Sequence, residues 1–328
     1  MAAEEITLNK KSFGKYLIKR LIASVFVLLL VTIIIFITVR LCPGDPVKNK
    51  IGPYGDYSEE NIARVSAELG LDKPLLTQYL VWLKNCLKGD LGVSLRNGVP
   101  ITEIVAEKLV VSLELIVVAI AIALLIAVPM GIIAGIRQGS LFEKFATIFS
   151  TSFLAMPAFC VGLLMIALFS VELNWLPSNG YVPFSEDPLG NLSFLVMPAV
   201  TLGLFVSASI YKFVRSDTGD VINSNFIRTA VAKGVPSRRI HFLHVLKNIS
   251  VTIVTVTGTE FATLLGGTVI IEQLFGWSGL GWYICSAVSN RDYPAVQGSV
   301  LVIAVLFVII NMIMDILYAL IDPRIELE

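Results

Sequence analysis

Apolar residues along this chain gather into six long runs, at residues 21–39, 109–136, 145–171, 192–214, 249–271 and 299–321, separated by stretches of mixed polarity. A helix advances about 1.5 Å per residue and a bilayer core is about 30 Å thick, so each run is long enough to cross. The pattern predicts an all-α integral membrane protein with six transmembrane helices. Pro129, Pro157 and Pro198 lie inside three of the runs, where each removes a backbone donor and favours a kink that neighbouring helices must accommodate. The first run follows Lys10, Lys11, Lys15, Lys19 and Arg20 and ends in Arg40 and Leu41 with no small-residue cleavage pattern, so it reads as a retained span rather than a cleaved signal.

The intervening stretches divide the rest. Residues 1–20 form a basic leader to the first span (21–40), and residues 41–106 carry helical periodicity at 59–69 and 74–87, predicting a small helical subdomain. Pro74 suits a first helical turn, and Leu75, Tyr79, Trp82 and Leu83 recur on one face; packing is the favoured role for Tyr79 and Trp82 over ligand contact. Residues 107–328 hold the remaining five spans, with a long polar loop at 215–248. Between the fifth and sixth spans, residues 275–283 mix glycines with Trp277, Trp282 and Tyr283 and are too short to cross. Those aromatics read as interfacial anchors or as an outer gate.

The loop at 215–248 is the most informative stretch. Asn223 or Ser224 can cap a first short helix, Gly234 suits a left-handed stop, and Pro236-Ser237 opens a second helix. Phe226, Ala230 and Val231 fall on one face of the first helix while Arg228 and Lys233 point elsewhere. An apolar ridge is thereby offered to something outside the bilayer, unless the stretch is only a solvated basic loop that fixes orientation.

Composition excludes a soluble domain: 55% of the 328 residues are hydrophobic and 15% charged, with a mean hydropathy of +0.80. The formal charge is zero, but its distribution is not even. Arg137 and Lys144 share one loop, and Lys212, Arg215, Arg228, Lys233, Arg238, Arg239 and Lys247 cluster around the next, whereas the polar stretch at 172–193 has no Lys or Arg. This asymmetry predicts that the basic loops and both termini face the cytoplasm. Nothing points to nucleic acid.

No phosphate-binding GxxxxGK[ST] loop, HExxH or GxSxG motif occurs, which argues against catalysis by this chain. The two histidines, His241 and His244, lie three apart without a third ligand, and Cys42, Cys86, Cys160 and Cys285 have no metal-binding spacing. Cys42 and Cys86 could share a compartment and pair, though free thiols are the simpler reading. Glu260 and Asp315 fall deepest in the apolar runs. They suit a translocation path or proton relay, or else inter-helix hydrogen bonds helped by Gly258, Thr259, Gly266 and Gly267. Glu114 lies nearer the end of its span.

The basic loop resembles the coupling segment of ABC importer permeases. Thr229-Ala230-Val231 stand in place of Glu-Ala-Ala, Gly234 and Leu246 match, and His244 and Lys247 replace Ile and Pro. The runs Arg228-Thr229-Ala230-Val231-Ala232-Lys233-Gly234 and His244-Val245-Leu246-Lys247-Asn248 look like the peptide, nickel and opine branch. Further stretches resemble its B-type permease subunit: Pro43-Gly44-Asp45-Pro46, Leu69-Gly70-Leu71-Asp72-Lys73-Pro74, Gln78-Tyr79, Gly89-Asp90-Leu91-Gly92, Asn290-Arg291-Asp292-Tyr293-Pro294 and Asp322-Pro323-Arg324-Ile325.

The resemblance implies a type I importer architecture in a bacterial cytoplasmic membrane. It implies a second homologous permease chain, two cytoplasmic ATP-binding subunits that carry ATP and Mg, and an extracytoplasmic solute-binding protein. This chain would bind no cofactor and would dock on an ATPase through Phe226, Arg228, Thr229, Ala230, Val231, Lys233, Gly234, His244 and Leu246. Cargo would be di- or oligopeptides or a nickel or opine-like chelate, with the short loop after the third span leaning toward a small or metal-chelate cargo. The rival reading is a stand-alone proton-coupled transporter using Glu260 and Asp315, which the absence of an inverted repeat weakens.

Overall fold

A computed structural model describes residues 2–41, 45–52 and 54–321. About four-fifths of the described residues are helical, and they form no strand beyond one isolated bridge between Val93 and Pro100. In order the helices are α1 (Ala2–Leu41), α2 (Pro46–Ile51), α3 (Glu59–Glu68), α4 (Leu75–Leu87), α5 (Ile101–Ile136), α6 (Leu141–Ala155) and α7 (Ala158–Met165), which continues as a π-helical turn (Ile166–Glu172). Then come α8 (Pro188–Ile222), α9 (Asn225–Ala232), α10 (Ser237–Arg239) with a π-helical turn (Ile240–Val245), α11 (Leu246–Gly267), α12 (Val269–Phe275), α13 (Leu280–Ser289) and α14 (Tyr293–Ile321).

Among the described residues, five helices are long and apolar enough to cross a membrane, and α6 with α7 and the turn after it makes a sixth span if the bent pair counts as one. At Pro157, one of the three prolines expected to favour a kink, the third run is broken by 101°. Met156 and Pro157 both adopt extended backbone, with ψ of 137° at each, because a proline ring disfavours helical backbone in the residue before it. Pro129 and Pro198, by contrast, stay inside α5 and α8. The fifth run also divides, α11 closing at Gly267 and α12 starting at Val269. At the other extreme, α5 begins at Ile101, about two turns before its apolar run, since Glu103 and Glu107 continue the helix beyond the greasy part.

The chain separates into two compact units, Met1–Ser112 with Ser278–Ile309, and Leu113–Trp277 with Ile310–Glu328. In the first, Ile101, Val105, Leu280, Ala287 and Ala295 form a buried cluster. Tyr79 and Trp82 of α4 pack on Phe36 of α1 at ring distances of 5.5 and 5.9 Å, and the Tyr79 hydroxyl lies 2.9 Å from Thr32 Oγ1. They are packing residues, as their spacing suggested, whereas Leu75 on the same predicted face is exposed. The loops are tied by Asp292, which accepts from Ser94 Oγ at 2.5 Å and from the Leu95 amide at 3.1 Å. Cys86 is a free thiol, pushed up to about 11 chiefly by burial; Cys42 lies outside the described residues, as do Pro43, Gly44 and the 322–325 stretch.

The second unit is built around α8, whose buried positions run round much of its circumference. Glycines allow α5 to approach it closely. A Cβ added at Gly131 would fall 2.7 Å from Val214 Cγ1, one at Gly135 2.5 Å from Thr218 Cβ, and one at Gly203 2.8 Å from Ile122 Cγ2. On the α6 side, Ser150 donates to the Ala208 carbonyl at 3.0 Å and Thr147 meets the Tyr211 hydroxyl at 3.0 Å.

Candidate functional site

The basic loop folds as one exposed helix and one junction, not as two short helices. Ser224 starts α9, but neither it nor Asn223 caps by side chain: Ser224 Oγ donates back to the Val221 carbonyl at 2.6 Å and Asn223 Nδ2 to that of Gly219 at 2.8 Å, closing α8 instead. The other end follows expectation. Gly234 has φ +76°, its amide donates to the Val231 carbonyl at 2.9 Å, and the Val235 amide reaches Ala230 at 3.1 Å. These two bonds are the Schellman pattern, which needs a residue that tolerates left-handed backbone. The predicted second helix from Pro236 and Ser237 is only α10; it winds through the π-helical turn straight into α11. His244 sits half-buried in that turn and Leu246 half-buried at the start of α11, so both belong to the base of a span. The side chain of His241 lies outside the description.

One residue anchors α9 to the protein: Ile227, 3% exposed. Phe226, at 46%, and Val231, at 58%, are open, Ala230 is half-buried, and Arg228, Thr229, Lys233 and Gly234 are exposed. A short helix thus presents an uncovered apolar ridge flanked by two cations.

The helices entering this region are bolted together by polar contacts that no single stretch of sequence announces. Arg215 of α8 donates from Nε to Glu143 Oε1 of α6 at 2.8 Å, with a second contact from its Nη2, and the other Glu143 oxygen accepts from the Gly139 amide at 2.5 Å. Thr252 of α11 bonds Asp217 of α8. Ser140 and Glu143 stand in a Ser-x-x-Glu spacing, Ser140 Oγ accepting from the Glu143 amide at 3.2 Å, and that helix-start signature could have drawn attention to Glu143. Asp217 and Thr252 carry no such local signal.

Glu260 is half-buried on α11, while Asp315 is buried on α14 and engaged there. Of the small residues expected to bring helices together, Gly258 does so, abutting Met314, but no packing neighbour among the described residues lies within 4 Å of a Cβ added at Gly266 or Gly267. Trp277 is fully buried with its ring 4.7 Å from Tyr181, which corrects the expectation of an interfacial anchor. Trp282 and Tyr283 are half-buried in the first unit, not in the unit that holds Trp277. Burial, followed by the negative charge of Asp292, pushes the Tyr283 phenol up to about 12.

Comparison with known proteins assigns this arrangement a context. Residues 127–327 match the family described as binding-protein-dependent transport system inner membrane component, and residues 13–116 match the corresponding N-terminal family. A peptide transport system permease protein of Brucella abortus (strain 2308) is 38% identical over 313 residues, covering 95% of this chain and 99% of the relative. A peptide ABC transporter permease protein of Sinorhizobium fredii is 35% identical over 313 residues, covering 95% and 99%. The glutathione transport system permease protein GsiC of Escherichia coli (strain K12) is 34% identical over 311 residues, covering 95% and 98%.

Proposed function

The chain belongs to the family of binding-protein-dependent transport system inner membrane components, and from that premise we propose that it is one of two permease chains in an ATP-driven importer of short peptides. On this reading it sits in a bacterial cytoplasmic membrane with both termini inside. A second permease chain completes the translocation path, two ATPase subunits hold ATP and Mg, and a solute-binding protein delivers cargo from outside. The permease itself hydrolyses nothing.

The observation that carries the reading is α9, a short helix closed at its C-terminal end by the Gly234 turn, with one buried anchor and an uncovered ridge of Phe226 and Val231. An ATPase cleft is the surface that would cover it. Arg228, Thr229, Ala230, Lys233 and Gly234 then line the contact, while His244 and Leu246 pass its movement into α11. Because α8 is bolted to α6 through Glu143 and to α11 through Asp217, a pull on α9 would move these helices as a block rather than bend one of them. Short peptides are preferred to nickel or an opine-like chelate because the relatives are named for peptides and for glutathione. Family membership does not favour the stand-alone proton-coupled reading, and Glu260 and Asp315 are more simply structural.

Gly234→Val tests the lever. Nothing lies near a Cβ at that position, so the cost is confined to left-handed backbone, about 1–2 kcal/mol. Insertion and complex assembly should survive while ATP-dependent peptide uptake falls at least severalfold; normal uptake would sink the coupling role. Uptake that persists after ATP is depleted with the proton gradient intact would overturn the importer reading itself.

A further inference from the structure

Helix α4 of the first unit has two sides of opposite character. At about 100° per residue, Leu76, Leu80, Leu83 and Leu87 fall within one arc of about 60°, being four, three and four residues apart. Leu83 is half-buried, but Leu76 is 69% exposed, Leu80 54% and Leu87 82%, so the described residues leave this stripe largely uncovered. The opposite side, about 180° away, carries Gln78 and Asn85. Both line a cavity whose wall also holds Lys50 and Glu68, which pair at 3.0 Å with their side chains partly open to water. The leucine stripe therefore points away from the wet side of the helix.

The level at which α4 lies follows from its contacts with α1. Tyr79 and Trp82 both pack on Phe36, and the Tyr79 hydroxyl reaches Thr32. Phe36 and Thr32 stand three and seven residues before Val39, where the first apolar run ends, and so about 4.5 and 10.5 Å inside it. Interfacial helices bury their apolar face to a similar depth, about 5–10 Å. At that level α1 itself opens Ile33, Ile34 and Ile37 to the outside. The stripe thus continues a lipid-facing surface and is too deep for a partner that docks from water. Four leucines also offer a neighbouring protein helix none of the small residues that allow close approach in a membrane, whereas lipid tails are as apolar as leucine. Lys84 and Lys88, both exposed, lie on the side turned away from Tyr79 and Trp82, where their stems can carry the ammonium groups to the level of lipid phosphates.

We propose that α4 lies in the membrane boundary beside the C-terminal end of α1, with Leu76, Leu80, Leu83 and Leu87 among lipid acyl chains and Lys84 and Lys88 at the lipid phosphates. The partner is the bilayer itself. On this arrangement the small subdomain at 41–106 is held at a fixed height by α4 as well as by α1, with the cavity on its water side. The inference rests on the chain being an inner membrane component, which its family establishes, and not on ATP-driven import of peptides.

The test replaces Leu80 or, on the cavity side, Asn85 of the full chain with the photoreactive residue benzoylphenylalanine and irradiates membranes of the producing cell before extraction. Mass spectrometry of the recovered chain reads what was captured. Leu80→benzoylphenylalanine should gain the mass of a phospholipid in severalfold higher yield than Asn85→benzoylphenylalanine. Equal lipid capture at the two positions, no adduct at Leu80, or capture of a protein chain there overturns the proposal. A second permease chain captured at Leu80 would do so while supporting the importer reading, so the two fail separately. A second measurement needs no crosslink. In nanodiscs of phosphatidylethanolamine and phosphatidylglycerol, Leu80→Glu puts a charge among acyl chains and should lower the unfolding midpoint by several degrees, whereas Thr77→Glu, on the lysine side, should leave it within about one degree. Equal midpoints would place the stripe in water and overturn the proposal as well; if Leu80→Glu is not recovered, the crosslink decides.

Discussion

Helices α1 and α8 would be ranked in the wrong order by anyone equating apolarity with burial. The membrane-spanning part of α1 is the more apolar of the two, yet only 22% of its apolar window is buried within the chain, against 61% for α8. Helix α8 carries Asn191, Thr201, Ser207, Thr218 and two buried glycines, and it is the helix that α6, α7, α11 and α12 of its own unit pack around. The inversion follows from the solvent. Lipid tails are as apolar as leucine, so a smooth apolar helix gains little by leaving lipid, whereas small residues permit close backbone approach and polar ones seek partners. Buried Thr32, the polar residue of α1 that finds a cross-helix partner, obeys the same rule by meeting Tyr79.

The sharpest way to break this comparison is to truncate one isoleucine on each helix. Ile210 of α8 is fully buried and Ile34 of α1 is largely open. With lipid as the reference the transfer contribution shrinks, but the void left by Ile210→Ala remains, so a loss of about 2 kcal/mol is expected, at the low end of core truncations. Ile34→Ala should change stability by less than about 0.5 kcal/mol. Thermal unfolding of the chain in nanodiscs measures both; equal shifts would mean that α8 is not the packing centre. If Ile34→Ala instead weakens recovery of the assembled importer, α1 faces the partner permease.

A smaller contrast lies between glycines. In a helix interior, Gly→Ala ordinarily gains up to about 1 kcal/mol. At Gly135 that gain is outweighed, because the methyl would sit 2.5 Å from Thr218 Cβ and 2.8 Å from the Arg215 carbonyl, and a backbone atom cannot move aside. Gly135→Ala should therefore destabilise by about 1–2 kcal/mol net. Gly266→Ala, with open space around it in this chain, should be neutral or stabilising by up to about 1 kcal/mol. A stabilised Gly135→Ala would show that α5 and α8 are not in close contact.

What could be read from the sequence divides along the same line. Signals that act within a few residues were legible: the apolar runs, the left-handed Gly234, the α4 face of Tyr79 and Trp82. Signals that depend on a distant partner were not. Pro157 and Pro198 look alike in their apolar runs, yet one breaks a helix by 101° and the other does not. At the first, Gly162 of the bent-back helix reaches Leu274 and Phe275 of α12, a contact no local pattern encodes. Trp277 suggested an interface and is buried against Tyr181. The tie made by Asp292 draws on positions 94, 95 and 292, which become neighbours only on folding.

The finest comparison is within a single bolt. Glu143 and Arg215 are joined, but the glutamate side chain is 9% exposed and the arginine 39%. Removing the guanidinium leaves a carboxylate in a buried place with the Gly139 amide still donating to it, whereas removing the acid leaves a cation that can turn toward water. Arg215→Gln should thus lower the unfolding midpoint more than Glu143→Gln, and the double variant should fall less than the sum of the two. Both should also lower ATP-dependent uptake, since the bolt joins α6 to the helix that carries α9. Additive effects of equal size would reduce the contact to an exposed ion pair worth little, and the transmission of movement from α9 would then have to run through Asp217 and Thr252 alone.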